Sequence, residues 1–218
     1  MKETFFNAMA QAVIDGDKTA AETLARDALT QNIPPAEAVE NGFIPGIRKV
    51  GDLWESGDYF LPELIASAEA MKAAMSVLRP VIEAGRAASF SAGKIVIGTV
   101  EGDIHDIGKN LVSAMLSANG FEVIDLGADV KLAAFIDRAA EAGADIICLS
   151  ALLTTTMLGQ RRLIELLQER GLRDRFKVLV GGAPASRKWA GDIGADGYGE
   201  NALAAVREAR TLLGKEPS

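Results

Sequence analysis

Two spacings of hydrophobic residues divide the chain. Up to about residue 84, apolar residues recur every three or four positions, as in helices that bury one face. Beyond residue 93, short runs of β-branched and other apolar residues alternate with helical segments. The first pattern predicts a helical bundle, and the second predicts βαβ units that build a parallel sheet.

The N-terminal part contains four predicted helices, at residues 3–15, 17–29, 35–55 and 62–78. Asp17 is a candidate N-cap of the second helix, and Pro35 suits the first turn of the third. Gly42 and Pro45 are expected to make the middle of the third helix irregular. Pro80 is expected to kink or end the fourth.

The C-terminal part contains five predicted strands, at residues 94–99, 122–126, 145–150, 177–180 and 196–198. Predicted helices follow them near residues 109–119, 131–142, 157–170, 187–193 and 202–213. This order predicts an α/β fold, a flavodoxin-like or Rossmann-like five-stranded parallel sheet with helices on both faces. Gly85–Gly93 has the small and polar composition of a linker. It divides the chain into an all-α four-helix cap domain, residues 1–88, and an α/β domain, residues 89–218.

The unusual residues of the second part gather after the predicted strands. They are Asp103 and His105, Gly127–Asp129, Ser150–Thr156, Gly181–Gly182 and Tyr198–Glu200. The carboxyl ends of parallel strands share one edge of a sheet, and open α/β sheets bind ligands there. The clustering therefore predicts a ligand site at that edge.

Composition and charge narrow the possible partners. The formal net charge of -7 argues against nucleic acid and against anionic membranes. No apolar run approaches the roughly 20 residues of a membrane helix, and the start of the chain lacks a signal peptide's apolar stretch. The single cysteine, Cys148, lies in an apolar run, so we expect a buried thiol, no disulfide and a cytoplasmic protein.

The segment Gly98–Val112 joins a predicted strand to a predicted helix and holds the only histidine of the chain. A nucleotide P-loop is disfavoured because five residues, not four, lie between Gly102 and Gly108, and no hydroxyl follows Lys109. The Gly-x-Gly-x-x-Gly dinucleotide fingerprint is absent. A zinc site made only of protein ligands is also disfavoured, because it needs three or four ligands and the chain has one histidine and one cysteine. Two interpretations remain: His105 merely bonds Asp103, or it is the one protein ligand of a metal, such as a corrin cobalt, that brings its other ligands.

The residues from Asp103 to Gly108 resemble the Asp-x-His-x-x-Gly motif of cobalamin-binding domains of the base-off, His-on type. Later segments match in order: Ser150–Leu152 resembles a Ser-x-Leu segment beside the nucleotide tail, and Gly181–Gly182 resembles the double glycine next to it. In the N-terminal part, residues 50–55 and 60–64 resemble the helical cap of methionine synthase and of methyltransferase corrinoid proteins. The resemblance covers nearly the whole chain.

The resemblance implies a set of cofactor-binding residues and no catalytic residue. The set is Gly102, Asp103, Ile104, His105, Asp106, Ile107, Gly108, Ser150, Leu152, Thr154, Thr156, Gly181, Gly182, Ala183, Tyr198, Gly199, Phe60 and Leu64. His105 would be the lower cobalt ligand, oriented by Asp103, and Phe60, with Leu64, would cover the upper face. Thr156 stands where methionine synthase has a serine.

Each of these assignments has a simpler alternative. Asp103 would also suit a helix cap, and Ser150 and Thr154 would also satisfy backbone groups at a strand end. Gly182 would also be an ordinary turn glycine. Phe60 and Leu64 would also be ordinary core residues of a helical bundle.

The resemblance also implies a function in one-carbon metabolism. The chain would bind cobalamin and carry a methyl group from a substrate-specific methyltransferase to a second methyltransferase that acts on tetrahydrofolate or a thiol. A reductive activase would serve the cobalt, and the chain itself would be a non-catalytic subunit. A cobalamin-dependent sensor and a cofactor-free flavodoxin-like interaction module are the alternatives. The methyl donor is left open among methylamines, methanol, betaines and methoxyaromatics.

Overall fold

The structure is a computed structural model that describes residues 2–84 and 92–215. It divides into two compact units, a helical unit and an α/β unit. The predicted domain boundary after residue 88 and most of the predicted linker, residues 85–91, lie outside the described residues. No helix in the described ranges combines the length and the apolar character needed to cross a membrane.

The helical unit contains α1 (Lys2–Ile14), α2 (Lys18–Thr30), α3 (Pro35–Ala38), a π-helical turn (Val39–Phe43), α4 (Ile44–Ser56) and α5 (Leu61–Ala84). Asp17 caps α2 as predicted, since its side chain accepts a hydrogen bond from the Ala20 backbone N–H at 2.9 Å. The predicted third helix is the continuous run from α3 to α4. Its irregular middle is the π-helical turn, which ends just before Pro45, a residue with no N–H to donate to a regular helical ladder.

The predicted end of the fourth helix near Leu78 is wrong, because α5 continues past Pro80 to Ala84. Proline inside a helix removes one backbone hydrogen bond, here the one to the carbonyl of Ser76. Ser76 and Pro80 both lie on the exposed side of α5, so water can satisfy that carbonyl.

Small residues allow the helices of this unit to approach closely. The buried side of α2 carries three fully buried alanines, Ala21, Ala25 and Ala28, and α2 packs against α5. Gly46 lies where α4 contacts α1, and a Cβ atom there would stand 2.5 Å from the Ala10 carbonyl oxygen. The larger buried side chains are Met9, Val13, Phe43, Ile47, Leu64, Met71 and Leu78.

The α/β unit has five strands: β1 (Lys94–Thr99), β2 (Glu122–Asp125), β3 (Ile146–Ser150), β4 (Lys177–Gly181) and β5 (Gly197–Gly199). Its helices are α6 (Ile107–Ala118), α7 (Leu132–Ala142), α8 (Leu158–Glu169), α9 (Arg187–Ile193) and α10 (Ala202–Leu212). All strand pairs are parallel, in the order β2-β1-β3-β4-β5. This order confirms the predicted flavodoxin-like fold.

The strand register brings the predicted ligand loops into one row. Thr99 pairs with Ser150, Ser150 with Gly181, and Gly181 with Gly199. The chain order reverses between β1 and β3, so the loops that leave these two strands diverge and open a crevice at the carboxyl edge. The fold therefore places the His105 loop at the position where sheets of this type bind ligands.

The sheet interior is apolar, and its one thiol is part of it. Cys148 lies on β3 with 4% of its surface exposed, as the sequence predicts. Burial raises the pKa of the Cys148 thiol to about 12. The thiol is therefore protonated and unreactive near neutral pH.

Candidate functional site

The loop from β1 to α6 reverses the usual distribution of charged and apolar side chains. Between Glu101 and Asn110 only Asp103 and Lys109 are buried, with 1% and 3% of their surface exposed. Ile104 and Ile107 are 76% and 79% exposed. Folded proteins normally bury isoleucine and expose aspartate and lysine. The loop therefore buries charged groups and exposes apolar ones, an arrangement that makes it a candidate ligand-binding surface.

The buried Asp103 carboxylate is surrounded by donors from two loops. One oxygen, Oδ1, accepts the His105 ring Nδ1–H at 2.8 Å and the His105 backbone N–H at 3.1 Å. The other, Oδ2, accepts the Thr156 hydroxyl at 2.6 Å and the Leu152 backbone N–H at 2.7 Å. Burial alone would raise the pKa of Asp103, but these hydrogen bonds outweigh it and hold the pKa well below its ordinary value. Asp103 is therefore ionised and acts only as an acceptor.

The ionised Asp103 determines which nitrogen of His105 is free. A carboxylate that only accepts requires the proton of the neutral ring on Nδ1, and this leaves an unshared electron pair on Nε2. The His105 side chain is 48% exposed, and its Nε2 makes no hydrogen bond within the described part of the chain. The Thr99 hydroxyl donates to the His105 carbonyl at 3.0 Å and fixes the backbone. His105 thus offers one oriented nitrogen ligand.

A metal at this nitrogen would have to bring its other ligands. Within residues 2–84 and 92–215, no three His, Cys, Asp or Glu side chains group in a way that could hold a metal ion. A single histidine ligand suits a metal whose other ligands come from a macrocycle.

Thr156 extends the pair to a chain of three side chains. Its hydroxyl lies 2.6 Å from Asp103 Oδ2 and 3.0 Å from the Leu153 carbonyl oxygen, and it has one proton to donate. The carboxylate is the closer and stronger acceptor, so the proton goes to Asp103. Thr156, Asp103 and His105 are therefore joined by consecutive hydrogen bonds.

Lys109 is a site residue that the sequence analysis did not identify. Its ammonium group donates to Asp125 Oδ1 and to Asn110 Oδ1, both at 2.6 Å, and also contacts the second Asp125 oxygen. Asp125 ends β2 and also accepts the Gly127 backbone N–H at 2.8 Å. Lys109 therefore ties the first turn of α6 to the β2 loop. A lysine directly after the Asp-x-His-x-x-Gly motif was the available signal.

The loop after β2 supports the histidine loop from the other side. Gly102 has a φ of +82°, and its backbone N–H donates to Asp129 Oδ1 at 2.8 Å. The Asp129 backbone N–H donates to the Asp103 carbonyl at 2.9 Å. Asp129 itself has a φ of +53°, which is uncommon for a residue with a side chain. Asp129 thus maintains the turn that carries Asp103.

The ends of β3 and β4 provide a free hydroxyl beside a close backbone contact. Ser150 is partly buried, and its hydroxyl has no hydrogen-bond partner among the described residues. Gly182 has a φ of +115°, and a Cβ atom there would lie 1.8 Å from the Ala151 carbonyl oxygen. The packing of the chain on itself therefore requires glycine at position 182, whether or not a ligand binds there. Thr154 and Ala183, in the loops that follow β3 and β4, are exposed.

The remaining predicted residues of the α/β unit lie on β5. Tyr198 and Gly199 are partly buried and continue the row of strand ends through the pairing with β4. Tyr198 also lines a surface pocket of about 460 Å³ with Ser186, Arg187, Glu200, Ala204, Arg207 and Glu208. This pocket contains neither His105 nor Ser150.

Phe60 and Leu64 belong to the helical unit and differ in exposure. Phe60 precedes α5, where the Glu63 carboxylate accepts its backbone N–H at 3.0 Å, and its side chain is 65% exposed. Leu64 is 1% exposed and is a core residue, so the structure leaves its side chain no free surface for a ligand. Of the two, only Phe60 is available for a contact outside the chain.

Gly108 is a glycine that the fold itself does not require. It lies in the first turn of α6 without a positive φ, and a Cβ atom there would meet nothing within 4 Å. Glycine in a helix costs about 0.5–1 kcal/mol relative to alanine. Asp106, Ile107 and Gly108 are all exposed and directly follow His105 in the chain. A ligand that approaches the backbone closely would explain the glycine.

Comparison with known proteins identifies related sequences and structures. The family described as B12 binding domain matches residues 93–207, and a second family with the same description matches residues 6–79. The chain is 52% identical to a corrinoid protein of Desulfitobacterium hafniense, over 94% of this chain and 95% of that protein. It is 45% identical to trimethylamine corrinoid protein 1 of Methanosarcina acetivorans, over 97% of this chain and 98% of that protein.

Among solved structures, one similar chain comes from the crystal structure of the methanol:cobalamin methyltransferase complex of Methanosarcina barkeri. The TM-score is 0.83 at 28% sequence identity, and the match covers 99% of this chain and 82% of that chain.

The hydrogen bonds of Asp103 predict how its replacement changes His105. In Asp103→Asn we expect the side-chain oxygen to face Leu152 and Thr156, because the Leu152 N–H donates at 2.7 Å whereas the competing His105 backbone N–H donates at 3.1 Å. The amide NH₂ then faces His105 Nδ1, which must accept, so the ring proton moves to Nε2. Two-bond ¹H–¹⁵N correlation spectra of the neutral ring should show a bare Nε2 in the wild type and a protonated Nε2 in the variant.

The matched control is Asp106→Asn, which makes the same chemical change at an exposed position of the same loop. It should leave the proton on Nδ1. A bare Nε2 in Asp103→Asn would show that the carboxylate does not select the tautomer.

Proposed function

We propose a role as methyl carrier for this chain, which belongs to the family of B12-binding corrinoid proteins. Its cofactor is cobalamin, a corrinoid. The cofactor supplies a cobalt atom that accepts and releases a methyl group. In this proposal His105 is the protein ligand of that cobalt, and the nucleotide tail has left the metal. The single observation that carries the proposal is the exposed and unpaired Nε2 of His105 above the ionised Asp103.

Asp103 and Thr156 are proposed to set the strength of this ligand. A carboxylate on the far nitrogen makes an imidazole more basic and fixes its orientation, as outer partners do in other metal sites. Thr156 donates to the same carboxylate and so moderates its charge. The three side chains together would hold or release a proton when the cobalt–histidine bond breaks or forms.

The apolar side chains around His105 fit a broad macrocycle. Ile104, Ile107, Leu152 and Leu153 are 76%, 79%, 43% and 43% exposed, and they follow the two strands on either side of the crevice. Burying apolar surface contributes roughly 25 cal/mol per Å². We propose that these residues pack against the lower side of the corrin ring. Gly102, Asp106 and Gly108 contribute backbone and space at the same place.

The nucleotide tail is proposed to lie along the row of strand ends. Ser150 offers an unpaired hydroxyl in the middle of the row, and Thr154 offers a second, exposed one. Gly181, Gly182 and Ala183 present backbone and little side-chain volume at the next strand. The proposed far end of the tail site is formed by Tyr198 and Gly199 on β5.

The helical unit is proposed to contribute Phe60 to the upper face of the cofactor. The Phe60 side chain is 65% exposed, so its apolar surface is available to pack against an apolar ligand. Phe60→Ala should speed photolysis of the cobalt–methyl bond, because the escaping methyl would be less confined. Val81→Ala, at another exposed apolar position of the helical unit, should leave the photolysis rate unchanged.

Two methyltransferases and a reductive activase are the proposed partners. One methyltransferase would take the methyl group from a small donor, and the second would pass it to tetrahydrofolate or a thiol. Support comes from the similarity to a chain of a methanol:cobalamin methyltransferase complex and to a trimethylamine corrinoid protein. The family membership sets aside the cofactor-free interaction module, and no feature of the described residues favours a sensor.

The carrier role is tested by methyl transfer. The cobalamin-loaded and reduced chain is mixed with a methyltransferase of a methylamine system and its amine, and the absorption spectrum is followed. We expect the spectrum of the methylated cofactor only when both the methyltransferase and the amine are present. Methanol and methoxyaromatic systems are tested in the same way. A chain that binds cobalamin and is methylated by none of these systems contradicts the carrier role.

Cofactor binding is tested separately at Gly108. Gly108→Leu fills the open space beside His105 and should weaken cobalamin binding by about tenfold or more, since overpacking costs about 1–3 kcal/mol. The matched control is Gly191→Leu in α9, where a Cβ atom also meets nothing within 4 Å. Leucine is the better helix former, so neither variant should lower the melting temperature of the cofactor-free chain. Equal cobalamin affinity of the two variants, measured by spectroscopic titration, would remove Gly108 from the site.

A further inference from the structure

One buried amide joins three elements next to the proposed tail site. Gln160 lies in the first turn of α8 and is 0% exposed. Its Nε2 donates to the Gly181 carbonyl at 2.9 Å and to the Leu149 carbonyl at 3.2 Å. Its Oε1 accepts the Trp189 indole N–H at 2.9 Å. The two carbonyls only accept and the indole only donates, so a single orientation of the amide satisfies all three partners.

These contacts lie where β3 and β4 end. Leu149 and Gly181 immediately precede Ser150 and Gly182, which are the proposed tail residues. Beyond the strands, the backbone contact from Ala151 N–H to the Gly181 carbonyl is 3.3 Å, longer than the mode of backbone hydrogen bonds. The Gln160 side chain therefore links the ends of β3 and β4 at the point where the backbone hydrogen bonds between the two strands become long.

Trp189 fixes the amide from the far side. It lies on α9, and the Arg161 guanidinium stands over its ring at 4.8 Å from the ring centre. The ring is partly buried and packs against the core of the sheet. Its indole N–H satisfies Gln160 Oε1, which would otherwise be a buried acceptor without a donor. The network thus extends from the strand ends to α9.

We propose that Gln160 is a positioning residue that sets the separation of the β3 and β4 ends and thereby the fit of the nucleotide tail. The inference rests on the proposed function, because it requires the tail to lie at this edge. Preorganised strand ends spare the ligand the cost of ordering them. The residue touches neither the corrin ring nor His105 in this scheme, so its effect is specific to the tail.

The test compares cobalamin with cobinamide, the corrinoid that lacks the nucleotide tail, in the full-length chain. Gln160→Met keeps the size and removes the hydrogen bonds. We expect it to bind cobinamide as the wild type does and to lose about tenfold of its affinity for cobalamin relative to cobinamide. Detaching the tail from cobalt costs the same free energy in the wild type and in the variant. That cost therefore cancels when the cobalamin-to-cobinamide affinity ratio of the variant is compared with that of the wild type.

Two further variants complete the test. Ile164→Val, in the core of α8, perturbs packing without touching the network and should leave the ratio unchanged. Trp189→Phe removes the indole donor and part of the ring volume but keeps an aromatic ring against the core, and it should lower the ratio by about threefold. This variant keeps the inference testable if Gln160→Met does not fold. A ratio within about twofold of the wild type in the folded variants overturns the role of Gln160.

The wild type separates this failure from failure of the proposed function. If bound cobalamin keeps its benzimidazole on cobalt, as its absorption spectrum would show, the tail does not occupy the strand ends and both proposals are overturned. If the wild type binds with the tail detached and the variants keep its ratio, only the inference about Gln160 is overturned.

Discussion

The site depends on keeping one carboxylate charged in a place that water does not reach. An ionised group of this kind costs several kcal/mol to bury unless it is fully hydrogen-bonded. Asp103 meets this requirement with donors from the loop after β1 and from the loop after β3. The two loops therefore cannot take their positions independently. The hydrogen bonds that stabilise the Asp103 carboxylate include two from His105, and they also fix the orientation of the His105 ring. Folding of the two loops therefore orients the His105 ring as well.

The surface above Asp103 is incomplete without a ligand. Ile104 and Ile107 are exposed, Gly108 borders open space, and the Ser150 hydroxyl has no partner among the described residues. Each feature violates a rule that most of the fold obeys, which is typical of functional sites. A ligand that covers the isoleucines and meets the hydroxyl would stabilise the folded state by mass action. Such a ligand would complete the packing of the surface above Asp103.

The sequence predicted the parts of the fold that depend on periodicity and the parts of the site that depend on a local motif. Alternating strand and helix signals were enough for the five-stranded parallel sheet. The short spacing from Asp103 to His105 was enough to predict the hydrogen bond between them that the structure shows. The predicted helix end near Leu78 was wrong because a helix can continue past a proline when the freed carbonyl reaches water, which the sequence does not show.

Residues that act through distant partners were not predictable in this way. Lys109 resembles a surface lysine until Asp125, at the end of the neighbouring strand, is placed against it. Gln160 resembles the polar side of an amphipathic helix, yet its partners are two strand ends and an indole on another helix. Both are buried polar residues whose hydrogen-bond partners lie on other elements and are brought close only by the tertiary structure. Hydrophobic periodicity assigns such residues to the surface by default.

The central claim is that the Nε2 of His105 binds the cobalt of the cofactor. The chain has one histidine, so labelling all histidine with ¹⁵N labels this ring alone. The electron paramagnetic resonance spectrum of the Co(II) form then identifies the axial nitrogen, because ¹⁴N splits the lines into triplets and ¹⁵N splits them into doublets. We predict triplets in the unlabelled protein and doublets in the labelled protein. Triplets in both would mean that the axial nitrogen does not come from His105.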